Sequence, residues 1–129
     1  MTVITSQWGS WAATSISSTS ISNTSSAITS AISNSGQSGT EIAITCAYGS
    51  GTIAQGVDVY VCRDINGSYE AVTDLPFAFQ MPFALSSTFN RTFTVMADRV
   101  SQFKILVVNN SGVGASVTVS YKQATITCV

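Results

Sequence analysis

The sequence predicts an all-β protein: an antiparallel β-sandwich, jelly-roll or immunoglobulin-like, preceded by an extended Ser/Thr-rich N-terminal arm. From residue 41 onward, apolar and polar residues alternate with the period of two that is typical of half-buried strands. Gly-, Asn- and Ser-rich turns separate about eight such segments, a spacing typical of sandwiches. Before residue 41 there is no charged side chain, which argues against an amphipathic helix with a charged outer face.

Residues 1–26 are predicted to form the arm and residues 27–129 the sandwich domain. Single isoleucines recur in the arm among Ser and Thr, which are poor helix formers. So few apolar side chains bury too little surface to offset the entropy of ordering the arm by itself. We therefore expect the arm either to lie across its own domain or to be ordered by a neighbouring molecule. A first strand is expected near Ala27–Ser33.

The later strands follow from the alternation and centre on residues 42–48, 57–62, 69–72, 77–83, 89–96, 103–107 and 113–121, the last with a continuation to residue 126. Asn66-Gly67 is the strongest signal for a two-residue hairpin turn. Pro76 and Pro82 are typical of an edge or bent strand. The side chains expected to line the two inner faces are Ile42, Ile44, Val57, Val59, Val61, Phe79, Phe93, Val95, Ile105, Val107, Val117 and Val119. Burying each of them contributes ~1.5–3 kcal/mol, so we expect folding without a disulfide or a metal.

Composition argues against several classes of function. The chain of 129 residues is long enough for one domain, and its 5 basic and 6 acidic residues give no positive field for nucleic-acid phosphates. No segment reaches the ~20 apolar residues of a membrane-spanning helix. The N-terminus lacks a basic residue followed by an apolar region, so we expect no secretory signal and synthesis in a reducing cytoplasm.

No catalytic, cofactor or metal site is predicted, and we expect the protein not to be an enzyme. The chain has no histidine, the commonest general base and metal ligand. Lys104 and Lys122 are interpreted as solvated surface residues. Acidic residues gather around the Asn66-Gly67 turn, but each is interpreted as a turn or surface residue rather than part of a glycosidase pair or a calcium site: Asp58, Asp64, Glu70 and Asp74.

The three cysteines, Cys46, Cys62 and Cys128, are an odd number and lack the spacing of a metal site. Two interpretations stay open. Cys46 and Cys62 are buried apolar residues within strands. Alternatively, Cys128 forms a disulfide with Cys46, with Cys62 or with another subunit, in an oxidising environment.

Trp8 and Trp11 are the most informative residues of the arm, because a monomer would protect two large aromatics in such a segment poorly. They either fold back to cap the sandwich or anchor in the groove of a partner, as aromatic hot spots do. With Ile16 and Ile21 they are the candidate partner-binding residues. Aromatic side chains can instead stack on sugars, and the available ones are Trp8, Trp11, Tyr48, Tyr60 and Tyr69.

Five strings of the domain carry a resemblance: Asp58-Val59-Tyr60-Val61, Arg63 to Ala71, Arg91-Thr92-Phe93-Thr94-Val95, Phe103 to Gly112 and Val117 to Lys122. Through them residues 40–127 resemble small structural proteins of tailed-bacteriophage virions, among them head decoration (cement) proteins and tail or fibre domains. The resemblance implies a homo-oligomer, dimer or trimer, on the outer capsid surface that bridges subunits of the major capsid protein. The alternative it implies is a tail or fibre sandwich that binds a host glycan or receptor.

Overall fold

The computed structural model describes residues 3–71, 79–97 and 100–128, without the side chains of residues 127 and 128. This part of the chain is all-β, as predicted, and contains no helix. Its strands are β1 (Ile4–Trp8), β2 (Ala12–Ala13), β3 (Thr19–Ile21), β4 (Ser25–Ile28), β5 (Ile32–Ser33), β6 (Gly39–Tyr48), β7 (Asp58–Ile65), β8 (Ser68–Tyr69), β9 (Phe79–Gln80), β10 (Thr88–Met96), β11 (Gln102–Asn109) and β12 (Ala115–Cys128). None of the described residues forms a helix that could cross a membrane.

The strands form two antiparallel sheets that pack as a sandwich. Sheet A has the order β1-β12-β6-β10, and β2 and β3 also pair with β12. Sheet B has the order β4-β11-β7-β8, with β5 beside β11 and β9 beside β7. The strands β6, β10, β11 and β12 have nearly the bounds that the alternation predicts, because both faces of these strands are patterned along their length.

The N-terminal arm lies across its own domain, which is the first of the two arrangements expected for it. Its strands β1, β2 and β3 pair one after another with β12 and so complete the edge of sheet A. Between them the Thr14 hydroxyl donates to the Val119 carbonyl over 2.6 Å, and the Val119 N–H donates to the Ile16 carbonyl over 2.8 Å. The arm is therefore attached along its length by hydrogen bonds to the main chain of β12.

Ile16 and Ile21, assigned above to partner contacts, are instead core residues. They are 2% and 3% exposed and belong to the main hydrophobic cluster. The reason is the pairing of the arm with β12, which brings both side chains over the interior of the sandwich. Neither side chain is available to a partner while the domain is folded.

The core between the sheets contains most of the side chains predicted for it. The exceptions are Val61, Phe79 and Phe93, which are only partly buried. The strand predicted near Ala27–Ser33 is interrupted at Thr29, whose N–H donates to the Ile105 carbonyl and whose hydroxyl accepts from the Ile105 N–H. Because this hydroxyl takes the place of a main-chain acceptor, the predicted strand becomes two, β4 and β5.

A buried asparagine connects the arm to the turn between β11 and β12. Asn109 is fully buried, and its amide donates to the carbonyls of Ile21 and Val113, each over 2.8 Å. Its side-chain oxygen accepts from the N–H and the hydroxyl of Ser111. All the polar atoms of this amide are thus satisfied, as a buried polar group requires.

The hairpin predicted at Asn66-Gly67 joins β7 and β8. Both turn residues have positive φ, 53° and 88°, as a type I′ turn requires. The Asp64 carboxylate accepts from the Gly67 N–H over 2.9 Å, so this acidic residue shapes the turn. Glu70 accepts two hydrogen bonds from the Arg63 guanidinium, and this pairing lowers the pKa of Glu70.

Candidate partner-binding face

The indole rings of Trp8 and Trp11 both lie next to the ammonium group of one lysine, Lys122. The Lys122 ammonium lies 5.4 Å from the ring centroid of Trp8 and 4.8 Å from that of Trp11. The indoles are 44% and 47% exposed, so they neither cap the core nor lie free of the domain. Cation–π contacts hold both rings in place while leaving much of their surface accessible.

The positive charge of Lys122 is balanced by a neighbouring carboxylate. The Glu41 carboxylate lies 3.5 Å from the Lys122 ammonium, and both side chains are about one quarter exposed, 25% and 24%. The two residues are direct cross-strand neighbours on β6 and β12. The site thus presents two aromatic rings on a neutralised ion pair, and it adds almost no net charge to a partner contact.

Aliphatic and thioether side chains extend this surface on both sides of Trp8. In the register of sheet A, Trp8, Ala124, Gly39 and Met96 form one row across four strands, and residues in such a row share a face. By the alternation of β1 and β12, Ile4 and Ile126 lie on that face too. The large members are 44–70% exposed. We call this surface the tryptophan face; it comprises Ile4, Trp8, Trp11, Gly39, Glu41, Met96, Lys122, Ala124 and Ile126.

Part of the tryptophan face is formed by a two-stranded β-ribbon made of β1 and the end of β12. The pairing of β6 with β12 ends at Ala124, whereas β1 continues to pair with β12 as far as Cys128. Residues 125–128 therefore have β1 as their sole strand neighbour in the described chain. All five residues of β1 are exposed. Isolated two-stranded ribbons are marginally stable in water, so a surface that covers this one would order it.

Sequence reasoning found the two tryptophans but missed their partner. It treated Lys122 as a solvated surface lysine, and the structure places the lysine between the two rings. A signal was present, because Lys122 and Glu41 occupy outward positions of two predicted strands. Nothing in the arm, however, showed that it would lie along β12.

The tyrosines considered as sugar platforms are mostly engaged. Tyr48 is 5% exposed, and its hydroxyl accepts from the Val57 N–H over 3.0 Å. Burial raises the pKa of this hydroxyl. Tyr69 has the Lys104 ammonium 4.4 Å from its ring centroid, and its hydroxyl accepts from the Gln102 amide. Tyr69 lies opposite Asp64, so Tyr60 and Tyr69 are not a direct cross-strand pair.

The acidic residues near the hairpin do not converge. Asp58 is 8% exposed and accepts from the Gln80 amide, while Asp64 and Glu70 have the local partners described above. Asp74 lies outside the described residues. Among the described residues no group of three or more His, Cys, Asp or Glu could hold a metal ion.

Cys46 and Cys62 are free thiols, 0% and 1% exposed. Burial raises the pKa of both thiols above the ordinary value of 9.0. The main chain of Cys128 pairs with Ile4, and its side chain lies outside the described part. Because Cys46 and Cys62 are free, only the disulfide of Cys128 with another subunit stays a prediction. Buried, neutral thiols are poor nucleophiles, because the thiolate is the reactive form.

Alkaline pH is expected to destabilise the fold through these two thiols. Because burial raises both pKa values, the thiols ionise at a lower pH in the unfolded chain than in the folded one. The unfolded state then binds fewer protons, and the free energy of unfolding falls by at most about 1.4 kcal/mol per pH unit for each thiol. Urea unfolding under reducing conditions at about pH 8 and about pH 10 measures this loss. The double variant Cys46→Ala, Cys62→Ala should lose less stability over that interval; an equal loss contradicts the expectation.

No protein-family model matches the chain, and no curated protein matches it. Among solved structures, the chain is similar to CBM35 from Paenibacillus barcinonensis, with 18% identity over 98% of this chain and 98% of that chain and a TM-score of 0.39. A likeness of this size carries no argument about function.

Proposed function

We propose that this chain is a non-enzymatic structural protein of a tailed-bacteriophage virion: a capsid cement protein that binds the outer head surface and bridges neighbouring major capsid proteins. The observation that supports attachment is the tryptophan face, where Trp8 and Trp11 are exposed around the paired Lys122. The resemblance of residues 40–127 to virion structural proteins suggests the partner. It also suggests the place of action, on the virion after synthesis in the host cytoplasm.

The composition of the tryptophan face suits a permanent protein contact. Exposed apolar patches usually mark interaction sites, and interface cores are rich in Trp and Met and poor in unpaired charge. Ala124 and Gly39 lie between Trp8 and Met96 in the cross-strand row, and both are buried. The accessible apolar surface is therefore made by the large side chains around them, among which Trp8 and Met96 are 44% and 50% exposed.

The ribbon adds a second mode of attachment. The strand β1 pairs with β12 on one side, and its other edge has no strand beside it within the described residues. An extended segment of a capsid subunit can add to such an edge through main-chain hydrogen bonds. A homo-oligomer that makes several such contacts would hold neighbouring subunits together by multivalency.

Decoration of empty shells tests this proposal. Purified full-length protein is added to phage shells assembled without it, and bound protein is measured by co-sedimentation. We expect saturable binding and a higher melting temperature of the shell, since a ligand that binds only the intact state stabilises it. A protein that leaves shells undecorated at every concentration tested contradicts the proposal.

The alternative is a tail or fibre module that binds a host glycan. The observation that favours it is again the pair of accessible indoles, because sugar rings stack on aromatic faces. It predicts binding of the isolated protein to host surface polysaccharide, with loss of binding in Trp8→Ala and little change in Tyr69→Ala. Binding to shells but not to polysaccharide rejects it.

A further inference from the structure

The strand β10 is a second open sheet edge, because no strand among the described residues pairs with it on the side away from β6. It ends sheet A beside β6 and is 9 residues long, Thr88–Met96. The other sheet edges in the described chain are made of segments of 2–5 residues, namely β1, β2, β3, β4, β5, β8 and β9. Proteins commonly protect their edges with such short strands, whereas β10 is longer than each of these segments.

Two hydrogen bonds show which residues of β10 face the open edge. The Tyr48 N–H donates to the Ser87 carbonyl, and the Ala97 N–H donates to the Ser38 carbonyl. The register of β10 on β6 is continuous between these points, so the odd-numbered residues bond to β6. The even-numbered residues therefore direct their N–H and carbonyl groups away from β6: Thr88, Asn90, Thr92, Thr94 and Met96, the last with its carbonyl accepting from the Val100 N–H.

A cleft of about 430 Å³ runs beside this edge and includes Arg91 and Phe93 of β10. Phe93 packs edge-to-face on Phe79 with 5.1 Å between ring centroids. The Arg91 guanidinium donates to the Asn90 carbonyl over 2.9 Å, which is one of the outward carbonyls. No carboxylate within the described residues lies within 4.0 Å of Arg91.

We propose that β10 pairs with β10 of a second copy of this chain across a twofold axis at Thr92, which joins two copies of sheet A into one continuous sheet. Thr92 is the midpoint of β10, so this axis pairs the whole strand with itself. Thr92 of each copy donates to and accepts from Thr92 of the partner subunit. Asn90 pairs in the same way with Thr94 of the partner subunit, after Arg91 releases the Asn90 carbonyl.

In this register, the side chains of β10 in one copy are complementary to those of β10 in the other copy. Arg91 comes to lie opposite Phe93 of the partner subunit, and the reverse pair forms by symmetry. These are non-hydrogen-bonded pairs, in which side chains are closest, and a guanidinium is attracted to a phenyl face. An axis at Arg91 would instead oppose two like charges, which destabilises a sheet.

This inference does not depend on attachment to a capsid. The strand order places β10 at the edge of sheet A opposite β1, so pairing at β10 leaves Trp8 and Trp11 exposed. A failure of dimer formation would leave the shell-binding proposal standing, and the converse also holds.

The substitution Thr92→Pro tests the dimer, with Thr92→Ala as its matched control. Proline has no N–H, and the Thr92 N–H points away from β6, so the change removes no bond within sheet A. Sedimentation equilibrium of the full chain should show a dimer for wild type and Thr92→Ala and a monomer for Thr92→Pro, whose circular dichroism should match wild type. A monomeric or trimeric wild type, or a folded Thr92→Pro that dimerises like wild type, overturns the proposal.

A second variant decides the matter if Thr92→Pro does not fold. Arg91→Ala removes two guanidinium–phenyl contacts per dimer, and we expect dimerisation to weaken about 5- to 30-fold. A charged residue on an edge strand can instead act against association. Unchanged or tighter association of Arg91→Ala would therefore overturn the proposal.

Discussion

A chain that begins at residue 27 is expected not to fold. It lacks Ile16 and Ile21, which are buried in the core, and it lacks the strands that cover the edge of β12. Losing one buried isoleucine side chain typically costs about 2–5 kcal/mol, so losing both costs about 4–10 kcal/mol. A domain of this size has a total stability of about 5–15 kcal/mol. Circular dichroism and thermal unfolding of residues 27–129 against the full chain measure the effect.

A chain that begins at residue 12 is the matched control for this truncation. It loses β1 and both tryptophans but keeps β2, β3 and the two buried isoleucines. We expect it to fold cooperatively with a modest loss of stability. Cooperative unfolding of residues 27–129 at a temperature near that of the full chain would show that the arm contributes little to the core.

Replacing both tryptophans, Trp8→Ala with Trp11→Ala, is expected to weaken decoration of shells by at least about 100-fold while the domain stays folded. Aromatic hot spots typically contribute about 2 kcal/mol or more each to a protein interface. Neither ring belongs to the core cluster, so truncating them removes cation–π contacts with Lys122 but leaves the interior intact. Titration of shells with the variant gives the change in affinity.

Ile28→Ala is the matched control for the tryptophan variant. Ile28 is 48% exposed on β4 of sheet B, away from the tryptophan face. Removing it deletes a smaller apolar group, exposed to a similar fraction, from another surface, and decoration should stay unchanged. If both variants reduce decoration equally, the effect is a general loss of apolar surface and the tryptophan face has no special role.

The regular part of the fold could be predicted because its strands are amphipathic. Residues 40–48 and 102–109 alternate between buried and less buried side chains along their whole length, and the prediction found both strands. Asn66-Gly67 specified its turn, since both residues tolerate positive φ. These are local signals that depend on neighbours within a few residues.

The arm could not be placed by such reasoning. Its Ser/Thr/Ile pattern gives no face, and what fixes it is pairing with β12 at the other end of the chain. That pairing buries Ile16, which looked like a partner contact, and brings Lys122 to the tryptophans. The buried amide of Asn109 likewise depends on the arm, because it donates to the Ile21 carbonyl.

Cryo-electron microscopy of the native particle tests most directly whether this protein acts by fixed attachment through its tryptophan face. We predict density for the sandwich on the outside of the head, with the indoles of Trp8 and Trp11 against capsid subunits. Particles whose heads carry no such density, or sandwiches bound there through sheet B with both indoles facing solvent, would contradict the account.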